Sequence, residues 1–148
     1  MESFEQGAIS GNFVRAKHLS LNMDIDTLRD SLFLIAYDNE NLIPYRFVNY
    51  LLLERETAQL HYLASFLLCM ASNHLDGAYQ TAFFHATRAA ELVPNDISCM
   101  EYLLFFYEIP DYLLSKKRAN DIAIQILKKD PDNKSALSVL EENYKGHL

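Results

Sequence analysis

The sequence predicts an all-α protein, a single domain of about seven helices stacked as antiparallel hairpins, and three observations carry that prediction. Within Ala78–Pro94, AYQTAFFHATRAAELVP, the residues Ala82, Ala86, Ala89 and Ala90 recur at three- and four-residue spacing and so line one helix face. Alanine on an inward face lets a second helix approach closely, and its low rotamer cost favours helix. Pro94 cannot continue that helix and turns the chain. Thirty-seven residues later the arrangement returns in Ala119–Pro131, ANDIAIQILKKDP. Ala119 and Ala123 stand in for Ala82 and Ala86, and Ile126 and Leu127 for Ala89 and Ala90. Finally, Val and Ile are sparse, and no stretch alternates for more than a few residues, so no strand is expected.

Residues 1–23 are the least patterned. Gly7 and Gly11 interrupt any long helix there, while Phe13–Leu19 has the length for two turns. Asp24 or Asp26 then reads as an N-cap whose carboxylate accepts orphan amide hydrogens. The helix that follows, about Ile25–Tyr37, should bury Leu28, Leu32, Phe33, Ile35 and Ala36. Asp38-Asn39-Glu40-Asn41 is a polar turn, and Pro44 fits the first turn of a helix over about Pro44–Arg55 with Phe47, Val48, Leu51 and Leu52 inward. Thr57 starts the next helix, expected to reach Asn73, whose apolar residues from Leu60 to Ala71 wrap most of its circumference. Asn73–Gly77 is a loop before the alanine helix. After Pro94, Met100, Leu103, Leu104 and Tyr107 share one face; after Pro131, Leu137, Leu140 and Tyr144 fall at matching offsets. Residues 1–60 are thus N-terminal helices, and residues 61–148 carry the hairpins and a C-terminal helix.

The two alanine–proline segments and the text after them resemble the tetratricopeptide (TPR) family, whose repeats are helix–turn–helix units of about thirty-four residues. The resemblance covers roughly residues 61–148. The extra length of the 37-residue interval fits best near Ile109-Pro110-Asp111. The first repeat lacks the family's aromatic in its first helix and has Cys69 and Met70 in the middle of the face. The resemblance implies a binding surface and leaves the partner open.

Composition narrows the function classes. Half the residues are hydrophobic, with four glycines and four prolines, which suits a packed chain rather than a disordered one. Cys69 and Cys99 lie in apolar helical text and read as small core hydrophobes rather than a disulfide or metal pair, so a reducing cytoplasm is expected. Met1–Ser10 has neither the basic region nor the hydrophobic run of a signal peptide, and the longest apolar stretch, Leu60–Ala71, is too short to span a bilayer. No membrane partner is therefore expected.

No catalytic constellation or cofactor site is legible. His61 and His85 fall within helices without the His–Glu–His spacing of a zinc protease, and His18, His74 and His147 sit in loop or terminal text; each reads as structural or surface. Asp24-x-Asp26-x-x-x-Asp30 lacks the glycine of a calcium loop and has Ile35 where the bidentate glutamate belongs. Four scattered glycines cannot build a phosphate loop, and pairs such as Glu54/Glu56 are expected by chance among twenty acids. No enzyme activity, cofactor or metal is expected.

Charge points instead to a protein partner. Residues 1–111 hold fifteen Asp and Glu against six Lys and Arg, a net of −9, while residues 112–148 hold five against seven, a net of +2. In tetratricopeptide stacks the first helix of each hairpin lines a concave groove, on which some relatives hold a partner's carboxylates with Lys and Asn. Here the exposed edge of 97–109 offers Glu101, Phe105 and Glu108, and the last helix offers Glu142, so that activity is not carried over. Acids with an aromatic among them would attract a basic partner and raise its association rate. Tyr112, with Tyr102 and Tyr144, is a further interface anchor. Nucleic acid is excluded on the same sign, since Lys116-Lys117-Arg118 and Lys128-Lys129 fall on an outer helix face. Two function classes follow. One is a non-catalytic binding protein, most concretely a bacterial immunity protein that sterically blocks a basic, nuclease-type toxin. The other is an adaptor or scaffold module that docks onto a larger assembly or self-associates.

Overall fold

Seven of the helices begin at a side chain that accepts a backbone N–H, the physical signature of a helix start. Ser3 forms a reciprocal capping box with Gln6, and Asn12, Asp24, Thr57, Asp96, Ser115 and Asn133 each accept from the amide three residues on. Of the two candidate caps at the third helix, Asp24 does the work: its Oδ1 accepts from Thr27 N at 2.7 Å, which holds its carboxyl below the usual carboxylate range. The structure, a computed structural model, describes residues 1–39 and 41–145. Glu40 of the expected polar turn and His147 lie outside the described residues. Among those residues all regular structure is α-helical, in nine helices and no strand. The two beyond the expected seven come from residues 1–23, and Gly7 lies inside the first of them.

Chain contacts divide the molecule into two units, Met1–His85 and Ala86–Leu148. The first holds α1 (Phe4–Ile9), α2 (Phe13–Ser20), α3 (Ile25–Asn39), α4 (Ile43–Glu54), α5 (Ala58–Met70) and the start of α6 (Ala78–Leu92). Here α4 packs on α1, α2, α3 and α5, and α3 also packs on α5. Phe47 of α4 is the hub: it is fully buried, with its ring 5.7 Å from Phe4 of α1 and 5.5 Å from Phe13 of α2. A Cβ on Gly7 would stand 3.3 Å from the backbone nitrogen of Ala16, so glycine is what lets α1 approach α2. Lys17 pairs with Glu54, a second tie between α2 and α4. The expected inward residues of α3 and α4 are buried or half-buried. Helix α5 ends at Met70, three residues short of Asn73; residues 71–77 turn instead, ending at Gly77 in the left-handed region at φ 78°.

The second unit holds the rest of α6 with α7 (Ile97–Glu108), α8 (Lys116–Lys129) and α9 (Lys134–Lys145), the last three packed on one another. Ala86 and Ala89 are buried, as are Ala119, Ala123 and Ile126 at the matching positions of α8. Ala86→Leu should overpack its contact and lower stability by about 1–3 kcal/mol, measured by urea denaturation. The connection between α7 and α8 spans residues 109–115, where the extra length of the 37-residue interval was expected. Cys69 is buried and Cys99 is half-buried, and the two are not joined in a disulfide.

One helix face differs from its expected register. On α7, Met100, Leu103 and Leu104 are buried as expected. On α9 the inward residues are Ala136, Val139 and Asn143; of the residues at offsets matching the α7 face, Leu137 and Tyr144 are exposed, in keeping with Tyr144 as an interface anchor. The reason is a polar clamp. Asn143 accepts from the Tyr107 hydroxyl at 2.5 Å and donates to Asn120, and Asn133 donates to Glu101. Turning Leu137 inward would take Asn143 away from Tyr107 and Asn120 and break those bonds.

Candidate functional site

The first unit carries a buried polar chain with an exposed aromatic ribbon beside it, and α5 supplies residues to both. Glu56 precedes α5, His61 lies in its first turn, Tyr45 is on α4 and His85 is on α6. Glu56 Oε1 lies 2.9 Å from His61 Nε2, His61 Nδ1 lies 2.9 Å from His85 Nδ1, and His85 Nε2 lies 2.9 Å from the Tyr45 hydroxyl. The carboxylate only accepts, so His61 donates to it from Nε2, and His85 donates from one ring nitrogen and accepts at the other. Both histidines are buried. Burial, followed by the neighbouring His61, lowers the pKa of His85 from 6.5 to about 4, so its ring is neutral near pH 7. One turn along α5, the buried Ser65 donates to the carbonyl of Ala82 at 2.8 Å. These bonds fix the rotation of α5 about its axis.

With His61 and Ser65 turned inward, the next residue in each turn faces out. Tyr62, Phe66 and Met70 form one row on α5, and Arg29, Phe33 and Tyr37 form a second on α3, both at four-residue spacing. The rows meet at Phe66, whose ring lies 5.8 Å from Phe33 and 6.3 Å from Tyr62, with the Arg29 guanidinium 5.8 Å above it. Tyr37 stacks on Phe33 at 5.7 Å and is 63 % exposed. Arg29 is neutralised by Asp26 and Asp30, each at 3.1 Å, so with Asp38 the edge of α3 is net acidic. Aromatic residues, Met and Arg are the side chains enriched at the centres of protein interfaces.

The residues singled out from the sequence all fall in the second unit. Glu101 and Phe105 are half-buried on α7, where Glu101 accepts from Asn133 and Phe105 packs edge-on against Phe106 at 5.2 Å. Glu108 is exposed at the end of α7, and Glu142 is exposed on α9. Tyr112 is exposed in the 109–115 connection with φ 47°, a backbone region unusual for a bulky side chain. The structure joins Glu101 to the α9 cap and stacks Tyr102 on Phe105 with ring centroids 6.4 Å apart. Lys116, Lys117, Arg118, Lys128 and Lys129 are all exposed.

No group of three or more His, Cys, Asp or Glu side chains among the described residues is arranged to hold a metal ion, and no helix among them is long and apolar enough to cross a membrane. The class defined so far is an all-α protein with an acid-edged aromatic surface. Comparison of the chain with protein-family models, with curated proteins and with solved structures gave no match to any of them.

Proposed function

We propose that this chain is a non-catalytic protein-binding protein that takes a basic partner on the aromatic ribbon of α3 and α5. The observation that carries the reading is the ribbon itself: Phe33 in ring contact with Tyr37 and Phe66, with Arg29 stacked over Phe66, bordered by Asp26, Asp30 and Asp38. Its most concrete form is a cytoplasmic bacterial immunity protein of tetratricopeptide-like build. The mechanism is steric: the aromatic centre anchors the partner, the acids steer a basic surface onto it, and the covered surface of a nuclease-type toxin no longer reaches its substrate. Two cysteines outside any disulfide suit a reducing compartment.

Co-expression with the product of the adjacent reading frame tests this reading. The expected result is a neighbour that kills cells alone, growth rescue by this chain, and a co-purifying complex whose affinity falls with salt. Within that complex, Tyr37→Ala should weaken binding by about thirtyfold or more, the range of an aromatic interface anchor, while the helical circular-dichroism signal and melting temperature stay unchanged. A harmless neighbour with nothing co-purifying would remove the immunity reading. A complex indifferent to Tyr37→Ala would move the interface off the ribbon.

A further inference from the structure

The aromatic ribbon and the buried polar chain share α5, and the chain is the part that titrates. Every ring nitrogen of His61 and His85 has a partner: Glu56 and Tyr45 at the outer ends, and the two Nδ1 atoms on each other at 2.9 Å. One hydrogen fits between those two Nδ1 atoms. A pair with both rings protonated carries a hydrogen on every ring nitrogen. Two Nδ1–H groups would then point at one another across 2.9 Å, with two positive charges on buried residues. The folded arrangement therefore holds at most one positive charge on the pair.

The surrounding groups do not lift that limit. From α4, Tyr45 meets His85, while Arg46 is exposed and Glu54 pairs with Lys17. Helix α5 itself carries no Asp, Glu, Lys or Arg, and Glu56 ahead of it supports a charge on His61. Further along α6, Arg88 pairs with Glu91. From α3, which also packs on α5, Asp26 and Asp30 pair with Arg29. Burial, followed by the nearby His61, holds the pKa of His85 down at about 4, the range in which the second proton enters.

The same contact matters to the ribbon, because α5 is tied to α6 through His61 on His85 and through Ser65 on the Ala82 carbonyl. Tyr62 and Phe66 each follow one of these two residues in the chain. The seat of α5 on α6 thus sets where the Phe66 ring stands against Phe33 of α3. We propose that the His61–His85 contact is an acid-released latch: a second proton on the pair drives α5 off its seat, carries Phe66 away from Phe33 and disassembles the ribbon. Control of a bound partner by this latch rests on the basic-partner reading. The latch itself is a property of the free chain and is measured there.

Nuclear magnetic resonance of the full chain, titrated from about pH 7 to about pH 3.5, tests it. The imidazole nitrogens of His61 and His85 report protonation, and cross-relaxation between the Phe33 and Phe66 rings reports the ribbon. The expected result is loss of that cross-relaxation at the midpoint of the second protonation, with the helical circular-dichroism signal retained. His85→Gln, whose amide donates and accepts but takes up no proton, should keep the ring contact through the same range. A contact that persists once both rings are protonated overturns the latch, as does one lost at a different midpoint. So does a pair that never takes the second proton, or a variant that loses the contact at the wild-type pH. Helical signal lost together with the contact overturns it too, since the pair would then be one part of a global acid unfolding. If His85→Gln does not fold, the wild-type midpoints decide. No partner enters the measurement, so the basic-partner reading stands or falls separately on its co-expression experiment.

Discussion

Phe47→Ala is expected to destabilise the first unit by about 3–5 kcal/mol, the range for removing a buried aromatic ring. The reason is the place of Phe47 in the fold. Its ring is completely buried and meets Phe4, Phe13 and Tyr50 at 5.7, 5.5 and 6.4 Å, so one side chain on α4 receives aromatic residues from both α1 and α2. Helices α1 and α2 have 6 and 8 residues, too few to persist alone in water. The variant should therefore lose amide-exchange protection in α1 and α2 before it loses protection in α4. Urea denaturation gives the size of the loss, and exchange read residue by residue gives its distribution. Phe47→Leu, which keeps most of the apolar contact, should cost much less than alanine. Equal costs for the two would mean that the rings on either side of Phe47 contribute little.

The same ring explains why residues 1–23 were hard to read. Their helices are specified by long-range partners rather than by their own periodicity: Phe4 and Phe13 find Phe47 more than thirty residues on, and Gly7 is there for close approach to Ala16. Gly7 viewed alone argues against helix by propensity, and tertiary packing overrides it. From α3 onward the pattern is local and was legible. The alanine positions of α6 and α8, the buried faces of α3 and α5 and the stop at Pro94 all follow from three- and four-residue spacing. That spacing failed once, on α9, because periodicity scores apolar residues while Asn143 and Asn133 set the rotation by hydrogen bonding.

The aromatic ribbon was half legible. Arg29, Phe33 and Tyr37, and again Tyr62, Phe66 and Met70, stand at four-residue spacing in the text. Phe33 was placed inward with Leu32 and is indeed half-buried against the core, but a sequence does not reveal that α3 and α5 lie side by side and share an outer edge. The polar chain was not legible at all. His61 and His85 are twenty-four residues apart, and Tyr45 is forty residues from its partner. Nothing in their spacing marks them as neighbours. Only once α4, α5 and α6 bring them within 2.9 Å of one another does the order of donors and acceptors appear.

That order makes His85→Leu the second large prediction, and its effect should depend on pH. At about pH 7.5 the variant removes a neutral ring that bonds both Tyr45 and His61, and leaves one buried and one part-buried polar atom unmatched, at a cost of about 1–3 kcal/mol. In acid the balance changes. The unfolded chain protonates this histidine near 6.5, whereas the folded chain holds it neutral down to about 4. Between those values the unfolded state binds more protons, so wild-type stability falls as the pH drops through this window. By about pH 5 this side chain alone should have removed about 1–2 kcal/mol. Leucine binds no proton, so that loss is missing from the variant. The stability gap between wild type and His85→Leu should narrow by the same amount between about pH 7.5 and pH 5 when both are unfolded in urea across the range. Tyr45→Phe separates burial from hydrogen bonding. It removes the hydroxyl but keeps the buried imidazole, so it should be less stable than wild type at every pH and still show the wild-type slope. If His85→Leu and wild type instead lose stability in parallel, burial is not what holds His85 neutral.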